Sequence, residues 1–210
     1  MKNLLFVLII TALSNSSGCS YAQNRSSDNI LIVYLSRTNN TKAVAEIIHD
    51  NVGGKLVALQ LENPYPDDYN ETVQQVVREN ETGYLPALKT KIDSMDKYDI
   101  VFVGFPTWGM KLPPPTKSFL KQYNLKGKTV IPFNTNGGYG IGSSFDTVKE
   151  LCPGSKVLEG LTIKGGVERD GVLLAIKDER RKEAEGEVKK WLQKIKAKRS
   201  SMNYYYDLIH

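Results

Sequence analysis

Asp99 to Phe105 (DIVFVGF) has strand length and is continuously apolar after Asp99. An alternating strand leaves one face in water, whereas an unbroken apolar one is buried on both faces, as inside a parallel sheet with helices on either side. Ile30 to Leu35 (ILIVYL) has the same character and leads into a helical pattern with Val44, Ile47, Ile48 and Val52 on one face. A second strand is expected at Leu56 to Leu61, then a break at Asn63-Pro64-Tyr65-Pro66, then a helix carrying Val73, Val76 and Val77. After the Asp99 strand, a helix with Phe119, Leu120 and Tyr123 follows Pro113-Pro114-Pro115. A fourth strand spans Thr129 to Asn134, with a helix through Phe145, Val148 and Leu151. A weaker fifth spans roughly Lys156 to Ile163, and a last helix packs through Val188, Leu192 and Ile195 beside Trp191. Five strands alternating with five helices give an open parallel sheet with right-handed crossovers, a three-layer doubly wound α/β domain over 28–196. The tail 197–210, with Tyr204-Tyr205-Tyr206, has no usable period and is expected to be loosely ordered.

Ahead of the domain, Lys2 precedes the apolar run Leu4 to Leu13, which is shorter than the ~20 residues a bilayer span needs. That is the build of an export signal. Two cleavage sites compete: before Cys19, leaving a lipid-bearing cysteine (signal 1–18), or after Ser20-Tyr21-Ala22 (signal 1–22). Either implies export to the periplasm or its membrane surface, with membrane contact only through a lipid on Cys19. The net charge of +5 gathers near Lys189 to Arg199, where cations complement a helix C-terminus, and falls short of a nucleic-acid stripe. With only Cys19, Cys152, His49 and His210, neither a dithiol pair nor a zinc cluster can be assembled. Cys152, at helical spacing after Phe145 and Val148, reads as a core thiol.

In a doubly wound sheet the ligand sits beyond the carboxyl ends of the strands where the strand order reverses, which in the order 2-1-3-4-5 selects the loops after strands one, three and four. After strand one, Ser36-Arg37-Thr38-Asn39-Asn40-Thr41 puts three hydroxyls at a helix entrance, where free N–H groups and the dipole favour a phosphate. A helix cap needs only one hydroxyl. After strand three, Pro106-Thr107-Trp108-Gly109 holds a large aromatic able to stack on a planar ring. After strand four, Asn134-Thr135-Asn136-Gly137-Gly138-Tyr139-Gly140 lets the backbone approach a ligand closely.

These three segments, in this order, resemble flavodoxins over about Ile30 to Ile195. The first is similar to the family's phosphate loop, Ser/Thr-x-Thr-Gly-Asn-Thr, with Asn39 where Gly is usual; Asn is the next residue most tolerant of positive φ. Trp108 is similar to the aromatic that covers one face of the flavin, and the glycine loop to the segment that meets its pyrimidine edge, with Tyr139 the candidate for the other face. The resemblance implies flavin mononucleotide (FMN) as cofactor, no catalytic side chain of the protein's own, and a redox protein or a small acceptor such as a quinone as partner. Two redox readings follow, an electron carrier and an NAD(P)H-dependent quinone or flavin reductase, and a third is a binding protein that has lost its flavin. A receiver domain of the same topology would need an acidic residue where Gly104-Phe105-Pro106 ends strand three, and the Gly-x-Ser-x-Gly elbow of a hydrolase is missing. Pro64-Tyr65-Pro66-Asp67-Asp68-Tyr69 and Leu85-Pro86 are shared with a bacterial branch of the family and carry no evident chemistry.

Overall fold

The computed structural model describes residues 29–209, with side chains up to 197; the segment expected to be an export signal and Cys19 lie outside the described residues. Strands β1 (Ile30–Tyr34), β2 (Lys55–Ala58), β3 (Ile100–Pro106), β4 (Thr129–Asn136), β5 (Lys156–Val157) and β6 (Leu161–Lys164) form one parallel sheet. Its order is β2-β1-β3-β4-β5, with β6 also on β4. Helices α1 (Asn40–Val52), α2 (Tyr69–Thr82), α3 (Pro114–Gln122) and α4 (Ser144–Leu151) fill the crossovers, and α5 (Asp178–Ile209) follows the last strand.

Because successive strand residues point to opposite faces, each buried strand feeds two cores. Leu31, Val33, Val101, Val103 and Phe105 turn toward Phe119 and Leu120 of α3 and Val148 of α4. Ile32, Phe102, Ile131, Phe133 and Ile163 turn toward Val44, Ile47 and Ile48 of α1 and Val188, Trp191 and Ile195 of α5. Each such fully buried side chain contributes roughly 1.5–3 kcal/mol. Gly104 admits the ring of Phe133 from the neighbouring strand: a Cβ there would lie 2.1 Å from it.

Several expectations are corrected. The second strand ends at Ala58, and Leu61 makes only an isolated bridge to Leu88. The fifth strand is two pieces, because β4 pairs Val130 with Val157 but Phe133 with Leu161, one residue out of step. The break falls opposite Pro132, which has no N–H to give the ladder. Of the three valines of α2 only Val76 is buried; Val73 and Val77 are 39% and 48% exposed. Cys152 is a buried free thiol, as its spacing suggested. Helix α5 continues through the tyrosine-rich segment to Ile209, where no period foretold it.

Candidate functional site

The carboxyl ends of β1, β3 and β4 open into a cleft of about 560 Å³, a volume suited to a small ligand. At its deep end, α1 begins without a side-chain cap: Asn39 stands at φ 63° in the left-handed region and makes no capping bond. The backbone N–H groups of Asn40 and Thr41 have no acceptor among the described residues, while that of Lys42 is taken by Ser36 Oγ at 3.2 Å. Thr38 Oγ1 receives a bond from Asn40 Nδ2 at 2.9 Å, which leaves its own proton free to donate outward. An uncapped helix start with free N–H groups and a hydroxyl beside them suits an anion.

Two polar side chains of this loop, Arg37 and Asn40, are already committed. Arg37 binds Glu168 at 2.7 Å and the carbonyls of Pro66 and Asp67 at 2.8 and 2.6 Å, so its guanidinium clamps three loops. Asn40, 3% exposed, donates to Leu173 O at 2.6 Å and accepts from the N–H groups of Ala175 and Ile176, pinning the stretch ahead of α5. The donors left free at the start of α1, two backbone N–H groups and the Thr38 hydroxyl, are neutral. Thr41 turns inward to Thr135 and lends its side chain to the wall.

Trp108 sits on a tight hairpin. Trp108 and Lys111 exchange backbone bonds at 3.4 and 3.0 Å around Gly109 and Met110, whose φ angles of 56° and 59° are both positive, the signature of a type I′ turn. Met110 bears that conformation because its carbonyl receives the N–H of Ser143 and lies against Gly142, where a Cβ would come within 2.0 Å. Thr107 ties the hairpin to the third loop through Gly140 O at 2.9 Å.

In that third loop the structure refines the expectation of backbone donors. The N–H groups of Gly138 and Gly140 already go to Asn136 Oδ1 at 2.8 and 3.2 Å, leaving those of Gly137 and Tyr139 without an acceptor among the described residues. Tyr139 is 68% exposed on the rim, its hydroxyl bonded by Arg169 at 3.1 Å.

Of the residues anticipated from sequence, Arg37, Thr38, Asn40, Thr41, Pro106, Thr107, Trp108, Gly109, Thr135, Asn136, Gly137, Tyr139 and Gly140 line the cleft. Ser36, Asn39, Asn134 and Gly138 do not. Asn134 is fully buried beneath it, bonded to Phe105 O at 3.1 Å and to the Thr107 hydroxyl at 3.0 Å. Two walls were not anticipated. One is Gly165 to Arg169, after β6; the Gly165-Gly166 pair at a strand end was its only sequence signal. The other is the face of α2 with Tyr69, Val73 and Val77.

Residues 29–178 match the family model for flavodoxin, the greater part of the chain. The chain belongs to the flavodoxin family. No protein of curated function matches it. Among solved structures, this chain is similar to a candidate flavoprotein of Bacteroides eggerthii, at 31% identity over 79% of this chain and 96% of that one, TM-score 0.63. A second, from Bacteroides uniformis, is 25% identical over 79% and 97%, TM-score 0.64. A flavoprotein of Lactobacillus acidophilus solved in complex with FMN shares the fold at 23% identity over 65% and 93%, TM-score 0.58.

Proposed function

We propose that this chain is a redox protein that passes electrons through FMN held in the cleft. The observation that carries the reading is the uncapped start of α1, with its free N–H groups and the Thr38 hydroxyl, opening into the same cleft as Trp108. The family membership and the FMN complex of a protein of the same fold support it. The α1 entrance would hold the phosphate and Trp108 would cover the ring and exclude water from it. The uncommitted N–H groups of Gly137 and Tyr139 are the donors left for the polar edge of the ring. Bound flavin supplies the electron chemistry, and the protein holds the ring and controls what reaches it.

The test is the visible spectrum of the purified protein after loading with FMN and gel filtration, followed by anaerobic reduction and reoxidation by a quinone or a redox protein. Flavin bands that stay with the wild type and are lost with Trp108→Ala support the reading; a wild type that retains no flavin overturns it. One observation favours the reductase as a second reading. The cleft runs on past Trp108 along α2, where Val73, Val77 and Met110 keep an apolar wall exposed beside the ring site. Oxidation of NADH or NADPH with a quinone present separates the enzyme from the carrier. The leader supports an exported protein, and loss of membrane association in Cys19→Ala would establish a lipid anchor.

A further inference from the structure

The segment between β2 and α2, which the sequence leaves without a chemical role, touches both ends of the cleft. Pro66 O accepts from Arg37 Nη1 and from Thr72 Oγ1, each at 2.8 Å, which couples it to the phosphate loop. One residue earlier, the ring of Tyr65 meets that of Trp108 edge-on, centroids 5.4 Å apart and planes at 89°. The Tyr65 hydroxyl donates to Glu79 of α2, and the other oxygen of that carboxyl accepts from Gln75 Nε2 at 2.8 Å.

Glu79 is only 5% exposed, and a buried carboxylate is unfavourable unless its oxygens are bonded. Both of its oxygens are, one by the tyrosine that touches Trp108. Burial and the Glu79 carboxylate raise the Tyr65 hydroxyl well above the ordinary phenol range, so it remains a proton donor. The two tryptophans are fixed differently. Trp191 donates its indole N–H to Glu159 O at 3.0 Å, whereas the indole N–H of Trp108 has no acceptor among the described residues. The hairpin fixes the backbone of Trp108 but leaves its ring plane to side-chain contacts, and Tyr65 supplies the aromatic one.

We propose that Tyr65, oriented by Glu79, is a positioning residue that sets the plane of Trp108 against the flavin ring, an assignment that rests on the FMN reading above. An edge-on partner holds the indole in one rotamer, so the face offered to the cofactor is formed before it binds and no ordering is needed on binding.

The test uses the full protein in equilibrium titrations with FMN, together with the visible circular dichroism and the reduction potential of the bound flavin. Tyr65→Leu is expected to weaken FMN by about 3- to 10-fold and to change both the dichroism and the potential. Tyr65→Phe keeps the ring edge but not the bond to Glu79. It should give a smaller loss and a dichroism change in the same direction, as should Glu79→Gln. In the Trp108→Ala background, Tyr65→Leu should cost nothing further, because its effect runs through the indole. Losses that add across the double variant overturn the assignment, and so do an unchanged dichroism and potential in Tyr65→Leu. A wild type that binds no FMN is a separate failure, that of the parent reading.

Discussion

The hydroxyl oxygens of Thr41 and Thr135 lie 2.7 Å apart in the interior, 94 residues apart in the chain, and join the first turn of α1 to the end of β4. Either can donate, and both residues are buried, Thr41 to 1% and Thr135 to 3% exposure. Thr41→Val leaves Thr135 buried without a partner and should cost about 1–2 kcal/mol in urea unfolding. Replacing both threonines by valine removes donor and acceptor together, so the double variant should lose less than the sum of the two singles. A strictly additive result would mean that the pair is not a bond.

Because Arg37 is engaged by Glu168 and two carbonyls, the phosphate of FMN should be bound by neutral groups. The dissociation constant should then change by less than about threefold between dilute buffer and ~0.5 M salt, beyond which exposed charge pairs are largely screened. Arg37→Gln should weaken binding by loosening the loops it clamps while leaving the salt dependence as it was. If Arg37→Gln instead abolishes a steep salt dependence, the guanidinium touches the phosphate directly.

Gly104 has no room for a side chain beside Phe133. Gly104→Ala should destabilise the domain by roughly 2–3 kcal/mol through forced repacking of β3 and β4. Gly104→Ala with Phe133→Leu should recover part of that loss, measured in the same unfolding experiment.

Burial pushes the Cys152 thiol up to about 11, from an ordinary value of 9.0. The sign follows from linkage. Above pH 9 the unfolded chain releases the proton while the folded chain keeps it, so this contribution to stability is whole below pH 9 and declines as pH rises toward 11. Between pH 8 and pH 10.5 the wild type should therefore lose more stability than Cys152→Ala. A thiol reagent at pH 8 should label Cys152 in the folded protein only at the rate of unfolding.

The order of strands and helices was legible because burial on two faces leaves a local mark, an unbroken apolar run such as Ile30 to Leu35 followed by a helical period. The three loops of the site were legible for the same reason: hydroxyls at a helix entrance, an aromatic at a strand end and clustered glycines are each local patterns, and the fold brings all three to one edge of the sheet. The break in the fifth strand was not legible, since it depends on Pro132 in the neighbouring strand failing to donate.

What the sequence by itself determined is the architecture, the edge at which the site forms and the residue types that line it. Only the tertiary structure decided what each side chain is free to do. Arg37 stands in the loop expected to hold a phosphate, and only the fold shows that Glu168, 131 residues away, takes its guanidinium. Val73 and Val77 looked like core until α2 turned them to the cleft, and Tyr65 had no role until its ring met Trp108. The physical reason is one of range. Periodicity and chain stiffness act between near neighbours and can be read along the chain, whereas a donor or a ring is committed by whichever distant group the strand order places beside it.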